Sequence, residues 1–220
     1  MDYNVSTLPA SQARALEVNK VLRNTYWLLS MTLLFSAAMA AVSMVVKAGV
    51  GVYLACMIGA LVMLFVVNKT ADTGKGIWAI FGFTGLMGFA LGPILTAYTA
   101  MHGPGIVMQA LGGTGIVFLA LSAYAMTSKK DFSFMGGFLF AGLIILVLGG
   151  LINLFVGSSA AQLGLACVSM LVFSGLILFD TSRIIHGGET NYIRATLALY
   201  LDIYNLFTTM LQLLGFASDD

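Results

Sequence analysis

An all-α integral membrane protein, a bundle of seven transmembrane helices with the last helix central, is the fold class this sequence predicts. Three observations predict it. Hydrophobic residues make up 60% of the 220-residue chain and charged residues only 9%, with a mean hydropathy of +0.98. Soluble domains sit nearer 45–50% and about 25%, so the solvent for most of this surface is lipid. Second, the chain divides into seven apolar stretches, each close to the roughly 20 residues that a helix needs to cross the hydrocarbon core. Third, the few charges are sharply partitioned between the connecting segments.

Residues 1–24 are polar, carry Arg14, Glu17, Lys20 and Arg23, and read as a cytoplasmic N-terminal segment rather than a signal peptide. The transmembrane domain then occupies 25–216, followed by a short tail at 217–220. The expected spans are Thr25–Val46, Val50–Val67, Ile77–Tyr98, Gly105–Met126, Phe134–Val156, Ala161–Ile185 and Tyr192–Leu214. The breaks are polar or turn-rich: "NKTADTGKG", "TAMHGPG", "TSKKDFS", "GSSA" and "HGGETN". The first two spans are joined tightly through Lys47 and Gly49, yet one helix over both would be far too long for a bilayer. In the third span, Gly82, Gly85, Gly88 and Gly92 recur at intervals of three or four, which lets helix backbones approach closely in lipid. Pro93 should kink that helix or loosen its hydrogen bonding.

With the N-terminus inside, Arg14, Lys20, Arg23, Lys69, Lys75, Lys129, Lys130, Arg183 and Arg194 all fall on the cytoplasmic side. Only Lys47, of the ten basic residues, falls outside. By the positive-inside rule the N-terminus is cytoplasmic and the C-terminus periplasmic. A net charge of +1 offers no basic surface for nucleic acid. Cys56 and Cys167 lie inside apolar stretches and suit neither a disulfide framework nor a metal site.

The first five spans contain no ionisable Asp, Glu, Lys, Arg or His. The sixth then carries Asp180 in "LILFDTSRI", and the seventh carries Asp202 in "LALYLDIYNLF". A charge at such depth costs at least about 2.5 kcal/mol and marks a functional site by default. The short link makes the two helices antiparallel neighbours. Asp180 lies roughly 8 Å, and Asp202 roughly 15 Å, from the cytoplasmic helix ends, so contact is geometrically open. Stepping from Asp202 by three and four gives Ala195, Ala198, Asn205, Thr209 and Gln212, a small or polar stripe that cannot face lipid. Asn205, Thr209 and Gln212 are therefore the candidate ion path.

Two carboxyls in low dielectric cannot both ionise cheaply and would titrate as a pair, Asp180 and Asp202 acting as proton sensor and gate. Deprotonated, they would offer hard oxygen ligands to a transient Ca²⁺. The plainer alternative pairs Asp180 with Arg183 one turn away and leaves a protonated Asp202 bonded to Asn205. A third idea, an intramembrane aspartyl protease, lacks its Gly-x-Gly-Asp context, since "LYLD" precedes Asp202. The chain is expected to be no enzyme and to hold no cofactor, with Ca²⁺ and H⁺ as transported or regulatory ions.

The stretches "SGLILFDTSRIIHGGETNYIRATLALYLDIYNLF" (174–207), "FGFTGLMGFALGPI" (81–94) and "SKKDFSFMGGFLFAG" (128–142) resemble the Bax inhibitor-1, or transmembrane Bax-inhibitor-motif, family, and within it the bacterial YccA-like inner-membrane branch. The resemblance runs over nearly the whole chain from about Val21. It implies seven helices with the last in the middle, and a pH-sensitive Ca²⁺ leak channel gated by the aspartates at positions 180 and 202. The family's leak-active members latch the helix 6 aspartate with an arginine at the end of helix 2. This chain has "VVNKT" there, so Lys69, or Arg183 on helix 6 itself, is the candidate latch cation. Lysine is a point charge without the fork of arginine. The YccA-like branch implies a second role, as partner and modulator of FtsH, the membrane-anchored AAA+ protease. The N-terminal segment would be its handle, although a disordered tail is the ordinary expectation for a terminus.

Overall fold

The computed structural model describes residues 10–128 and 130–219. Residues 1–9, Lys129 and Asp220, together with the side chain of Arg14, lie outside the described set, so the parts of the charge count and of the terminal segments that rest on them do too. Seven long helices follow in order: α1 Ala10–Val45, α2 Val50–Thr70, α3 Lys75–His102, α4 Gly105–Ser128, α5 Gly136–Val156, α6 Ser159–Ile185 and α7 Tyr192–Asp219. A 3₁₀ turn, Ser133–Met135, leads into α5. All seven are long and apolar enough to cross a membrane.

Turn chemistry sets the ends. α1 closes with Lys47 at φ 52°, where Ala48 N–H donates to the Ser43 carbonyl and Lys47 N–H to that of Met44. That is the paired bonding of a left-handed C-terminal cap, normally given to glycine. α6 closes in the same way with Gly187 at φ 76°, Gly188 N–H donating to the Arg183 carbonyl. Ser158 caps the start of α6, its Oγ accepting from Ala161 N–H.

One expectation is corrected at the N-terminus. Residues 10–24 are helical and continuous with the first span, so α1 runs 36 residues. At 1.5 Å per residue that is about 54 Å, against a hydrocarbon core of about 30 Å. No breaker separates "ASQARALEVNKVLRN" from the apolar run after it, so the helix propagates through the change of polarity and projects beyond the bilayer.

α7 packs against α1, α2, α3, α4 and α6 and has no exposed residue from Tyr192 to Phe216. The apolar residues Leu199, Ile203, Leu206, Phe207 and Leu211 are as buried as the polar stripe. The helix is enclosed on all sides, not on one. α2 and α5 form the periphery. On α5 only Leu139 and Gly142 are buried, while Phe138, Phe140 and Phe155 are exposed, as a lipid-facing helix requires.

The glycine run of α3 sets its distance from α1. A Cβ at Gly88 would overlap the Ser36 backbone, and one at Gly92 the Ser43 side chain. Without a hydrophobic drive between helices in lipid, such close backbone packing is what holds them. Pro93 sits inside α3 without ending it; neighbouring Thr96 Oγ1 donates to the Gly92 carbonyl.

Candidate functional site

The carboxyl groups of Asp180 and Asp202 lie within hydrogen-bonding reach of each other. Both are buried, Asp180 with 9% and Asp202 with 4% of its surface exposed. Five residues separate Asp180 from the end of α6 and ten separate Asp202 from the start of α7. With the acids adjacent, helix rise requires α7 to begin roughly 7 Å beyond the end of α6 along the bundle axis, a step that the six-residue link allows.

Their surroundings differ. Arg183, one turn along α6, places Nη1 3.5 Å from Asp180 Oδ1. The same guanidinium reaches to 4.0 Å from Glu189 Oε2 and lies over the Phe179 ring. Among the described residues no cation pairs with Asp202. Its Oδ2 is buried without a hydrogen-bond partner among the described residues. A carboxylate oxygen left so would carry its full desolvation cost, and a proton held between the two acids removes that cost.

Of the two candidate latch cations, Arg183 stands beside the pair and Lys69 does not. Lys69 is exposed in the last turn of α2 and makes no ion pair among the described residues; α2 packs on α3 and only marginally on α7, which keeps its end away from α6. The plainer pairing of Asp202 with Asn205 is not made either: Asn205 Nδ2 donates to the Leu201 carbonyl of its own helix. Thr209 is buried. Gln212 joins Asn153, Gln162 and Ser169 in a polar groove of about 470 Å³ between α5, α6 and α7. Asn205, Thr209 and Gln212 thus share a helix face without forming one hydrogen-bonded chain to Asp202. Among the described residues no three His, Cys, Asp or Glu side chains are clustered to hold a metal.

A second polar assembly, unseen in the sequence reading, locks the same end of the bundle. Asn191 Oδ1 accepts from Ile193 and Arg194 N–H, capping α7. Its Nδ2 donates to the Ala71 carbonyl and to Asp72 Oδ1, and Arg194 pairs with Asp72. The hydrogen bonds from Asn191 and Arg194 hold the Asp72 carboxyl below its ordinary range. Nearby, Phe132 N–H donates to Ser182 Oγ at 2.9 Å, tying the α4–α5 link to α6. Asn191 before "YIRATL" was readable as a helix cap. Its partners, about 120 residues away, were not.

Six apolar helices and an enclosed seventh, which presents one of two adjacent buried carboxyls, define a multi-pass membrane protein organised about a buried acid pair. The chain belongs to the Bax inhibitor family: the profile described as "Inhibitor of apoptosis-promoting Bax1" matches residues 18–219. Among its relatives is a membrane protein of Vibrio cholerae, 54% identical over the full length of both chains. The "Modulator of FtsH protease YccA" of Escherichia coli K12 is 47% identical over 93% of this chain and 94% of its own. An "Inner membrane protein YccA" from another Escherichia coli strain matches to the same extent.

Proposed function

We propose that this protein is a multi-pass inner-membrane modulator of the protease FtsH. The observation that carries the reading is the 47% identity, across nearly the whole of both chains, to a protein named for that role. The projecting start of α1 supports it. Together with the α6–α7 link it lines a groove that includes Glu17, Lys20, Asn24 and Glu189, and the inward bias of the basic residues puts this end on the cytoplasmic side. Neither this role nor the one below makes the protein an enzyme.

The test is site-specific photo-crosslinking in cells, with turnover of a membrane-embedded FtsH substrate followed in parallel. A crosslinker at Lys20 should capture FtsH, and one at Met101, at the opposite end of α3, should not. Deleting the protein should change substrate half-life at least twofold. No capture from Lys20 and an unchanged half-life would refute the role.

A second reading is favoured by one specific observation, the proximity of Asp180 to Asp202, whose buried Oδ2 has no hydrogen-bond partner among the described residues. In this reading the pair is the proton-controlled gate of a Ca²⁺ leak. With one proton shared, the pair carries a single charge, matched by Arg183. Loss of that proton leaves two negative groups against one cation, and like charges in contact in low dielectric repel. α6 and α7 then part, and the freed oxygens suit Ca²⁺. Ca²⁺ flux into proteoliposomes should rise as pH increases, and Asp202→Asn should flatten that dependence. Identical pH profiles for the two proteins would sink the gate. The double variant with Asp180→Asn and Asp202→Asn separates the roles, because FtsH modulation through the α1 surface survives it.

A further inference from the structure

α1 and α4 each pack against α3 and α7, but make no contact of similar extent with each other. Between them lies a partly open cavity of about 420 Å³, within the ~300–1,000 Å³ typical of sites for small apolar ligands. α7 forms its floor through Tyr200, Ile203 and Phe207, and α4 contributes Gly115 and Phe118. Along α1 it runs from Leu33 to Met44, eleven residues or about 16 Å. That is close to half of the ~30 Å hydrocarbon thickness, the depth of one leaflet.

The walls offer little to a polar guest. Tyr200 Oη and Ser36 Oγ bond to each other at 2.7 Å, and Thr114 Oγ1 donates to the Ala110 carbonyl. The space exists because small residues border it. Ala37, Ala40 and Ala41 face it from α1, and a Cβ at Gly115 would meet nothing within 4 Å. Leu34 of α1 and Ile116 and Leu119 of α4, beside the opening, are exposed apolar side chains within spans long enough to cross the bilayer. The medium at the mouth is therefore lipid hydrocarbon, and an empty apolar cavity of this size forfeits dispersion contacts on every wall.

We propose that this groove holds one acyl chain of a membrane phospholipid, entering between α1 and α4 and lying against Tyr200 and Phe207 of α7. The site is on the other side of α7 from the acid pair and rests on neither functional reading above. It makes a lipid part of the packing of the central helix.

Native mass spectrometry of the full chain, extracted in detergent and stripped of annular lipid, tests this. The unaltered protein should retain one phospholipid per chain. Gly115→Phe, which fills the groove, should lower that occupancy at least tenfold, and Gly115→Leu should lower it in part. Gly112→Phe puts the same ring on an open face of α4 that does not line the groove, and should leave retention unchanged. Thermal melting of each variant shows that it is folded, and the Leu variant serves if the Phe variant is not. Equal retention in all variants, no retained lipid in the unaltered protein, or a bound detergent molecule only, would each overturn the proposal.

Discussion

At the scale of single residues, polar groups here are separated by what meets them. Among the described residues, Asp180 has a guanidinium, Asp202 has only the other acid, and Asp72 has both an amide and a guanidinium. Asn191 serves two elements at once, so its loss removes a helix cap and a tether together. Asn191→Ala should destabilise the protein by about 1–2 kcal/mol, near the upper range for a lost cap, seen as a lower melting temperature in detergent. Asp72 supplies the pH dependence of this lock. Its carboxyl is held below the ordinary value near 4, so its contribution is whole above that value and is lost as pH falls through the lower, folded one. The melting temperatures of the unaltered protein and Asp72→Asn should therefore differ at pH 7 and converge well below pH 4. A constant gap across that range would show that the pair does not titrate as described.

Hydropathy located the elements, and small residues placed them. The seven spans were legible in the sequence because each is a window of about 20 apolar residues bounded by turn chemistry. The extension of α1 to Ala10 was not, because a polar run after the loosely charged terminus reads equally as tail or as helix. The glycine spacing of α3 announced close packing, while its partner, α1 at Ser36 and Ser43, came only from the fold. Gly92→Leu must push α1 and α3 apart and should cost about 1–3 kcal/mol, the usual penalty for overpacking. Gly112→Leu, whose added Cβ meets nothing, should be near neutral. Unfolding titrations in mixed detergent micelles check both, and a tolerant Gly92 would mean that the α1–α3 spacing yields more easily than the overlap implies.

For the whole molecule, the arrangement is a central α7 packed against α1, α2, α3, α4 and α6, with α2 also forming the lipid-facing periphery together with α5. α7 carries three features of this arrangement: Asp202 toward α6, Tyr200 and Phe207 toward the α1–α4 groove, and the capped N-terminus tied to the α2–α3 turn. A shift of α7 would disturb all three together.

Span number and order, the central place of the last helix, and the positions of the two acids were determined by the sequence alone. Hydropathy over a helix length and an isolated carboxylate in an apolar run are local signals that lipid enforces wherever the helix goes. The tertiary structure alone decided that Lys69 stays away from Asp180, that Asn191 binds the α2–α3 turn, and that α1 and α4 leave a groove between them. Those outcomes depend on the rotation, tilt and vertical offset of helices far apart in the chain, and no local pattern of polarity records them.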